Sequence, residues 1–160
     1  MSVIILLDTS IYLNVLDVPS FNQDRHIVLD EFENCVQFGN FFLLPLASIW
    51  ETGNHIADLR DGKIRRLYAK KLVGDVKMAV KGDAPYRPTH FPTQTEFLEW
   101  LDAFPDATMR SKSSQKSREG VSLVDLSTIK EWERTKSRHP MSRVRIWSLD
   151  MDLSGYDTGT

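Results

Sequence analysis

Four acidic residues stand where a carboxylate is expensive unless something offsets its charge. Asp8 ends the uninterrupted apolar run Val3-Ile4-Ile5-Leu6-Leu7, and Asp150 ends an alternating run that starts at Arg143. Glu51 falls in the first turn of the helix expected after the second apolar run, and Asp125 in the first turn of a helix opened by Ser122. An unbroken apolar run reads as a strand buried on both faces of a parallel sheet. A charge at its end must be solvated, paired or bound to metal. With a parallel sheet and right-handed crossovers, all four acids approach the edge formed by the carboxyl ends of the strands, where open α/β sheets hold their ligands. Like charges gathered there force some acids to protonate unless a cation neutralises them. Mg²⁺ or Mn²⁺ does this through oxygen ligands. Such an ion also activates a bound water and stabilises charge on a phosphoryl oxygen. The chemistry this points to is cleavage of a phosphodiester.

The elements that must place these acids follow from periodicity. Thr9 or Ser10 caps a short helix that stops near Pro19. A helix over 22–38 carries Val28, Phe32, Cys35 and Val36 as its apolar stripe, with Gly39 just past its end. Residues 41–46 read as a second buried strand whose Pro45 marks its end. Ser48 caps the helix of Glu51, over 49–59. After Asp61-Gly62 a helical pattern resumes, with Arg65, Arg66, Lys70, Lys71 and Lys77 on its outer face. Residues 82–92 read as a proline-rich loop, and Thr93-Gln94-Thr95-Glu96 matches a capping box. Residues 106–120 read as a polar, basic, mobile loop. Strand, helices, strand, helices, strand is an α/β order.

A chain of 160 residues fits one domain with a sizeable core. Its single cysteine, Cys35, excludes an intrachain disulfide. The first residues lack a basic leader, and their apolar run is too short to cross a membrane, so the expected compartment is the cytoplasm. The net charge of -2 conceals an asymmetry: residues 1–59 carry -7, residues 60–145 carry +8 and the remainder -3. An acidic centre beside a basic middle suits a cation site next to a surface for a polyanion.

At the acidic residues the sequence resembles the PIN-domain nuclease family. The match runs from the apolar strand with Asp8-Thr9-Ser10, through Pro45 to Glu51, to Ser122-x-x-Asp125 and Ser148-x-Asp150-x-Asp152-Leu153, so it spans residues 3 to about 153. The family's last element is usually Thr-x-Asp; here Ser148 supplies the hydroxyl that orients a neighbouring carboxylate. The resemblance implies a Rossmann-like α/β/α sandwich with a mainly parallel sheet, and Mg²⁺- or Mn²⁺-dependent hydrolysis of RNA. It implies metal binding by Asp8, Glu51, Asp125 and Asp150 with Asp152 as an accessory, and support from Thr9, Ser10 and Ser148. It also implies the toxin role of a toxin–antitoxin pair, with an antitoxin partner and a homodimer. One departure is the long segment 82–120, an insertion within the single domain.

Expected contacts to the RNA backbone are Arg65 and Arg66 on the helix face and Arg110, Lys112, Lys116 and Arg118 in the basic loop. His26, His55, His90 and His139 lack zinc-ligand spacing, and the four tryptophans read as core or near-core. Two other readings stand beside the nuclease. One is a PIN-like module that binds without catalysis. The other is a phosphatase with Asp8 as nucleophile, disfavoured because Ser10 occupies the place where such enzymes carry a second aspartate.

Overall fold

The computed structural model describes residues 2–113 and 115–157. Four strands, β1 (Val3–Leu7), β2 (Phe41–Leu44), β3 (Tyr86–Pro88) and β4 (Arg143–Trp147), form one sheet in the order β3-β2-β1-β4. Every pairing is parallel, with Ile5 opposite Phe42 on one side and Arg145 on the other. The helices are α1 (Thr9–Val15), α2 (Arg25–Gln37), α3 (Leu46–Ala57), α4 (Gly62–Lys81), α5 (Gln94–Asp102), α6 (Phe104–Thr108) and α7 (Leu123–Arg138), with a 3₁₀ helix at Met151–Tyr156.

The period of two in β1 explains the layers. Ile5 and Leu7 join Tyr12, Val28, Phe32 and Trp147 in one core. Ile4 and Leu6 join Val144, Ile146, Ile129 and Leu153 in a second. Both faces of the central strand are therefore dry, which is why its sequence shows no polar alternation. The result is the expected Rossmann-like, three-layer α/β arrangement, with helices on both faces of a parallel sheet.

Several local expectations are corrected. The segment 82–92 contains β3, a strand too short to show a period and ended by Pro88. Asp8, not Thr9 or Ser10, holds the cap position of α1. Helix α3 begins at Leu46 behind Pro45, so Ser48 is not its cap and Glu51 lies beyond its first turn. The Ser48 hydroxyl instead donates to the Leu7 carbonyl at 2.9 Å, tying α3 to the end of β1. Strand β4 stops at Trp147, and Asp150 caps the 3₁₀ helix through the Asp152 amide. Val36 faces water while Val28, Phe32 and Cys35 are buried. The capping box of α5 and the Ser122 cap of α7 form as read. Among the described residues, no helix is long and apolar enough to cross a membrane.

A candidate active site at the carboxyl edge of the sheet

The chain runs outward from β1 through β2 to β3, then returns to place β4 on the other side of β1. Such a reversal opens a crevice between the carboxyl ends of the two strands that flank it. Asp8 follows β1 and Ser148 follows β4, and the Asp8 amide donates to the Trp147 carbonyl at 3.0 Å. The two strand ends are thus stitched together at the mouth of the crevice.

Hydroxyls and amides then fix the acids. Ser148 Oγ donates to Asp8 Oδ2 at 2.7 Å and accepts from the Asp150 amide at 2.9 Å. Ser10 Oγ donates to the same Asp8 oxygen at 3.0 Å and accepts from the Leu149 amide at 2.9 Å. Each serine therefore carries orientation from the turn after β4 into the carboxylate after β1. Thr9 is buried and its hydroxyl has no hydrogen-bond partner among the described residues. From the opposite wall, Ser122 Oγ donates to Asp125 Oδ2 at 2.7 Å while capping α7.

The electrostatics are those of crowded acids. Burial raises the Asp8 pKa; the Ser148 and Ser10 hydroxyls oppose the rise, and the charge of Asp125 adds to it. Glu51 is also raised, first by burial, with His55 opposing and Asp125 and Asp8 adding. Its carboxylate lies 3.8 Å from His55 Nε2 on the next turn. Asp8, Glu51 and Asp125 thus share one field.

Two lysines complete the cluster. Lys112 Nζ lies 3.5 Å from Asp125 Oδ2 and 3.3 Å from Asp152 Oδ2. Lys116 Nζ lies 3.0 Å from Asp152 Oδ2 and 3.7 Å from Asp150 Oδ2. Burial alone would raise Asp152, but the two ammonium groups outweigh it and hold its pKa below the usual range. Burial pulls Lys112 down, yet its acidic neighbours leave it raised. Lys112 and Lys116 were expected on RNA; the fold turns them onto the acids, because the loop folds back over the ends of α7 and β4.

The oxygen donors are of the kind magnesium and manganese take, and Asp152 Oδ1 is buried without a hydrogen-bond partner. The placement is nevertheless not that of a cation cage: among the described residues, no three His, Cys, Asp or Glu side chains could together hold a metal ion. Lysine nitrogens lie between the acids instead.

The fold itself has a solved counterpart. A chain in the crystal structure of FitAcB from Neisseria gonorrhoeae superposes with a TM-score of 0.53 at 16% identity, covering 93% of this chain and 89% of that one. At that identity the likeness is one of fold. No protein-family model and no curated protein matches the sequence.

The remaining expected RNA contacts lie elsewhere. Arg65 is tied to the Leu59 carbonyl at 2.7 Å, and Arg66 is exposed on α4 beside Lys70 and Lys77. Arg110 is exposed at the rim of the acidic crevice, beside Lys112, and Arg118 is exposed in the same loop. One neighbouring feature was missed. A cavity of about 260 Å³ lined by Trp50, Phe97, Trp100 and Leu123 opens beside Glu51. Trp50 was read as near-core and is 64% exposed. Its place next to Glu51 on a helix that packs through Ile49 and Ile56 was the available signal.

Proposed function

We propose that the chain is a ribonuclease of PIN-like fold that hydrolyses RNA phosphodiesters at the carboxyl edge of its sheet, with Mg²⁺ or Mn²⁺ as cofactor. The observation that carries this reading is the gathering of Asp8, Glu51, Asp125, Asp150 and Asp152 around the β1–β4 crevice, with Asp8 held by two hydroxyls. The four-motif resemblance supports it, as does the fold shared with FitAcB. A bound divalent ion would supply an activated water and neutralise phosphoryl charge. The resemblance assigns it to Asp8, Glu51, Asp125 and Asp150, which as placed do not converge on one ion among the described residues. The protein's own part is to orient Asp8 through Ser148 and Ser10, and to offer Arg110 and Arg118 to the RNA backbone. On the same resemblance it acts as a toxin restrained by an antitoxin and pairs with a second copy of itself.

The test is cleavage of a labelled RNA with magnesium. Asp8→Asn reduces cleavage to the metal-free background while binding of the RNA is retained; undiminished cleavage by that variant overturns the assignment. A second reading, a binding module without catalysis, is favoured by the lysines among the acids and by the lack of three convergent ligands among the described residues. It requires that no Mn²⁺ binding depend on Asp8 and Asp150.

A further inference from the structure

The cavity beside Glu51 is walled by three helices, α3, α5 and α7, through Trp50, Phe97, Trp100 and Leu123. Trp50 is 64% exposed and Phe97 is 47% exposed. The Trp50 indole has neither a hydrogen-bond partner nor a ring partner among the described residues. Large aromatic side chains left in water around a concavity mark a binding surface. The walls are set in advance. Arg134 lies over the Trp100 ring, 5.3 Å from its centroid, pairs with Glu96 at 3.3 Å and donates to the His90 carbonyl at 2.6 Å. Helix α7 thus braces α5, and a preformed wall lowers the ordering cost of binding.

The polar lining says what kind of group fits. Glu51 is the one charged residue among those that line the cavity, so an anionic group is disfavoured there. The Ser127 hydroxyl is spent on the Val124 carbonyl at 2.8 Å, whereas the Asn54 amide has no partner among the described residues. A flat, neutral ring with donors and acceptors along its edge matches this lining. Its faces stack on indole and phenyl rings, and its edge meets an amide and a carboxylate. An aliphatic side chain would fill the space and leave both polar groups unanswered. The cavity also adjoins the acids. Glu51 belongs to both, and Val124 lines the cavity while the next residue, Asp125, lines the crevice beside Arg110 and Lys112.

We propose that this cavity takes one nucleobase of single-stranded RNA, stacked on Trp50 and met at its edge by Asn54 and Glu51. The base belongs to the nucleotide next to the phosphate held at the crevice. The consequence for cleavage rests on the ribonuclease reading; the binding of the base needs no metal ion.

The experiment is fluorescence anisotropy of a labelled single-stranded RNA with the full chain, in the presence of a chelator. Trp50→Ala binds about tenfold more weakly, with the salt dependence of binding unchanged, because a stacked base releases no counterions. Trp50→Phe, which keeps a ring, recovers part of the affinity. An abasic oligonucleotide of equal length keeps the phosphates and lacks the bases; it binds the parent and Trp50→Ala alike. Equal affinity of the parent and Trp50→Ala for the RNA overturns the pocket. So does an equal loss on the abasic chain, or no recovery by Trp50→Phe. Cleavage is scored separately with magnesium. Base-dependent binding through Trp50 without cleavage retains the pocket and removes the ribonuclease. Cleavage abolished by Asp8→Asn, with Trp50→Ala binding as the parent does, retains the ribonuclease and removes the pocket.

Discussion

Asp8 and Glu131 are the two acids on which burial acts most plainly, and they make opposite kinds of sense. Asp8 is dried at the mouth of the crevice with two serine hydroxyls on one oxygen. Its raised pKa means that the ionised form costs the fold stability, and that the cost is relieved as pH falls through the folded pKa. Asp8→Asn keeps an oxygen acceptor and deletes the charge. It is expected to lift the melting temperature by about 2–4 °C near neutral pH, an increment of about 1 kcal/mol in a domain of this size. Calorimetry then shows the gain shrinking as the buffer is acidified, while cleavage stays lost. Glu131 has no place in the crevice. It is buried within α7, where it accepts from Thr89 Oγ1 at 2.9 Å and from the Leu46 amide, with Arg134 4.0 Å away. Burial pushes it up to about 7 from 4.5. The fold therefore loses stability as pH rises from the unfolded value through the folded one. Glu131→Gln flattens that slope and is more stable than the parent by roughly 1–3 kcal/mol at about pH 8, read by urea melts.

Helix α4 is held by a thin apolar face, Tyr68, Leu72 and Ala79, and by polar joints, among them Lys71 Nζ donating to the Leu16 carbonyl at 2.5 Å. Of its residues only Ala79 is fully buried, and Leu67 and Val73 face water. Asp75 compensates. Its Oδ2 accepts from Tyr12 Oη and from Tyr86 Oη, each at 2.6 Å, linking α4 to α1 and β3. Both tyrosines are raised by burial and then by this carboxylate, so the protonated, donating form is held. Asp75→Ala leaves two buried hydroxyls without their acceptor. The expected loss is about 2–4 kcal/mol, one desolvated donor at a time. Chemical denaturation checks it, and Asp75→Asn recovers part of the loss because one acceptor returns. Asp75 falls on the same face as Tyr68, Leu72 and Ala79, at i, i+4, i+7 and i+11, so an acid takes a place in the inward stripe of the helix.

At the scale of the whole molecule, the charge asymmetry resolves into a division of labour. The acidic ends of the sequence meet at the crevice, after β1 and after β4, and the basic middle supplies both the lysines that fill it and Arg110 at its rim. Arg110 and Arg118 are exposed and make no ion pair among the described residues. Converting both to alanine is expected to weaken RNA binding and to reduce the slope of log affinity against log salt by about 1.4, two phosphate contacts on a single strand. Fluorescence anisotropy across a salt series measures it. An unchanged slope removes these arginines from the interface.

The sequence by itself determined the strand β1, dry on both faces, the α/β order, the Ser122 cap and the place of Asp8 at the end of β1. Each follows from a short stretch read by its own period or capping chemistry. It did not disclose β3, because Tyr86–Pro88 is too short to carry a period and ends in a proline. It misjudged the start of α3, because Pro45 serves as readily before a helix as after a strand. The exposure of Trp50 and the inward turn of Lys112 and Lys116 were decided by tertiary structure alone. A lysine's local sequence is the same whether its ammonium meets water, phosphate or Asp152. Which of these it meets depends on a loop base fixed by Gly120 against Thr108 and on a crevice made by strands that are distant in the chain.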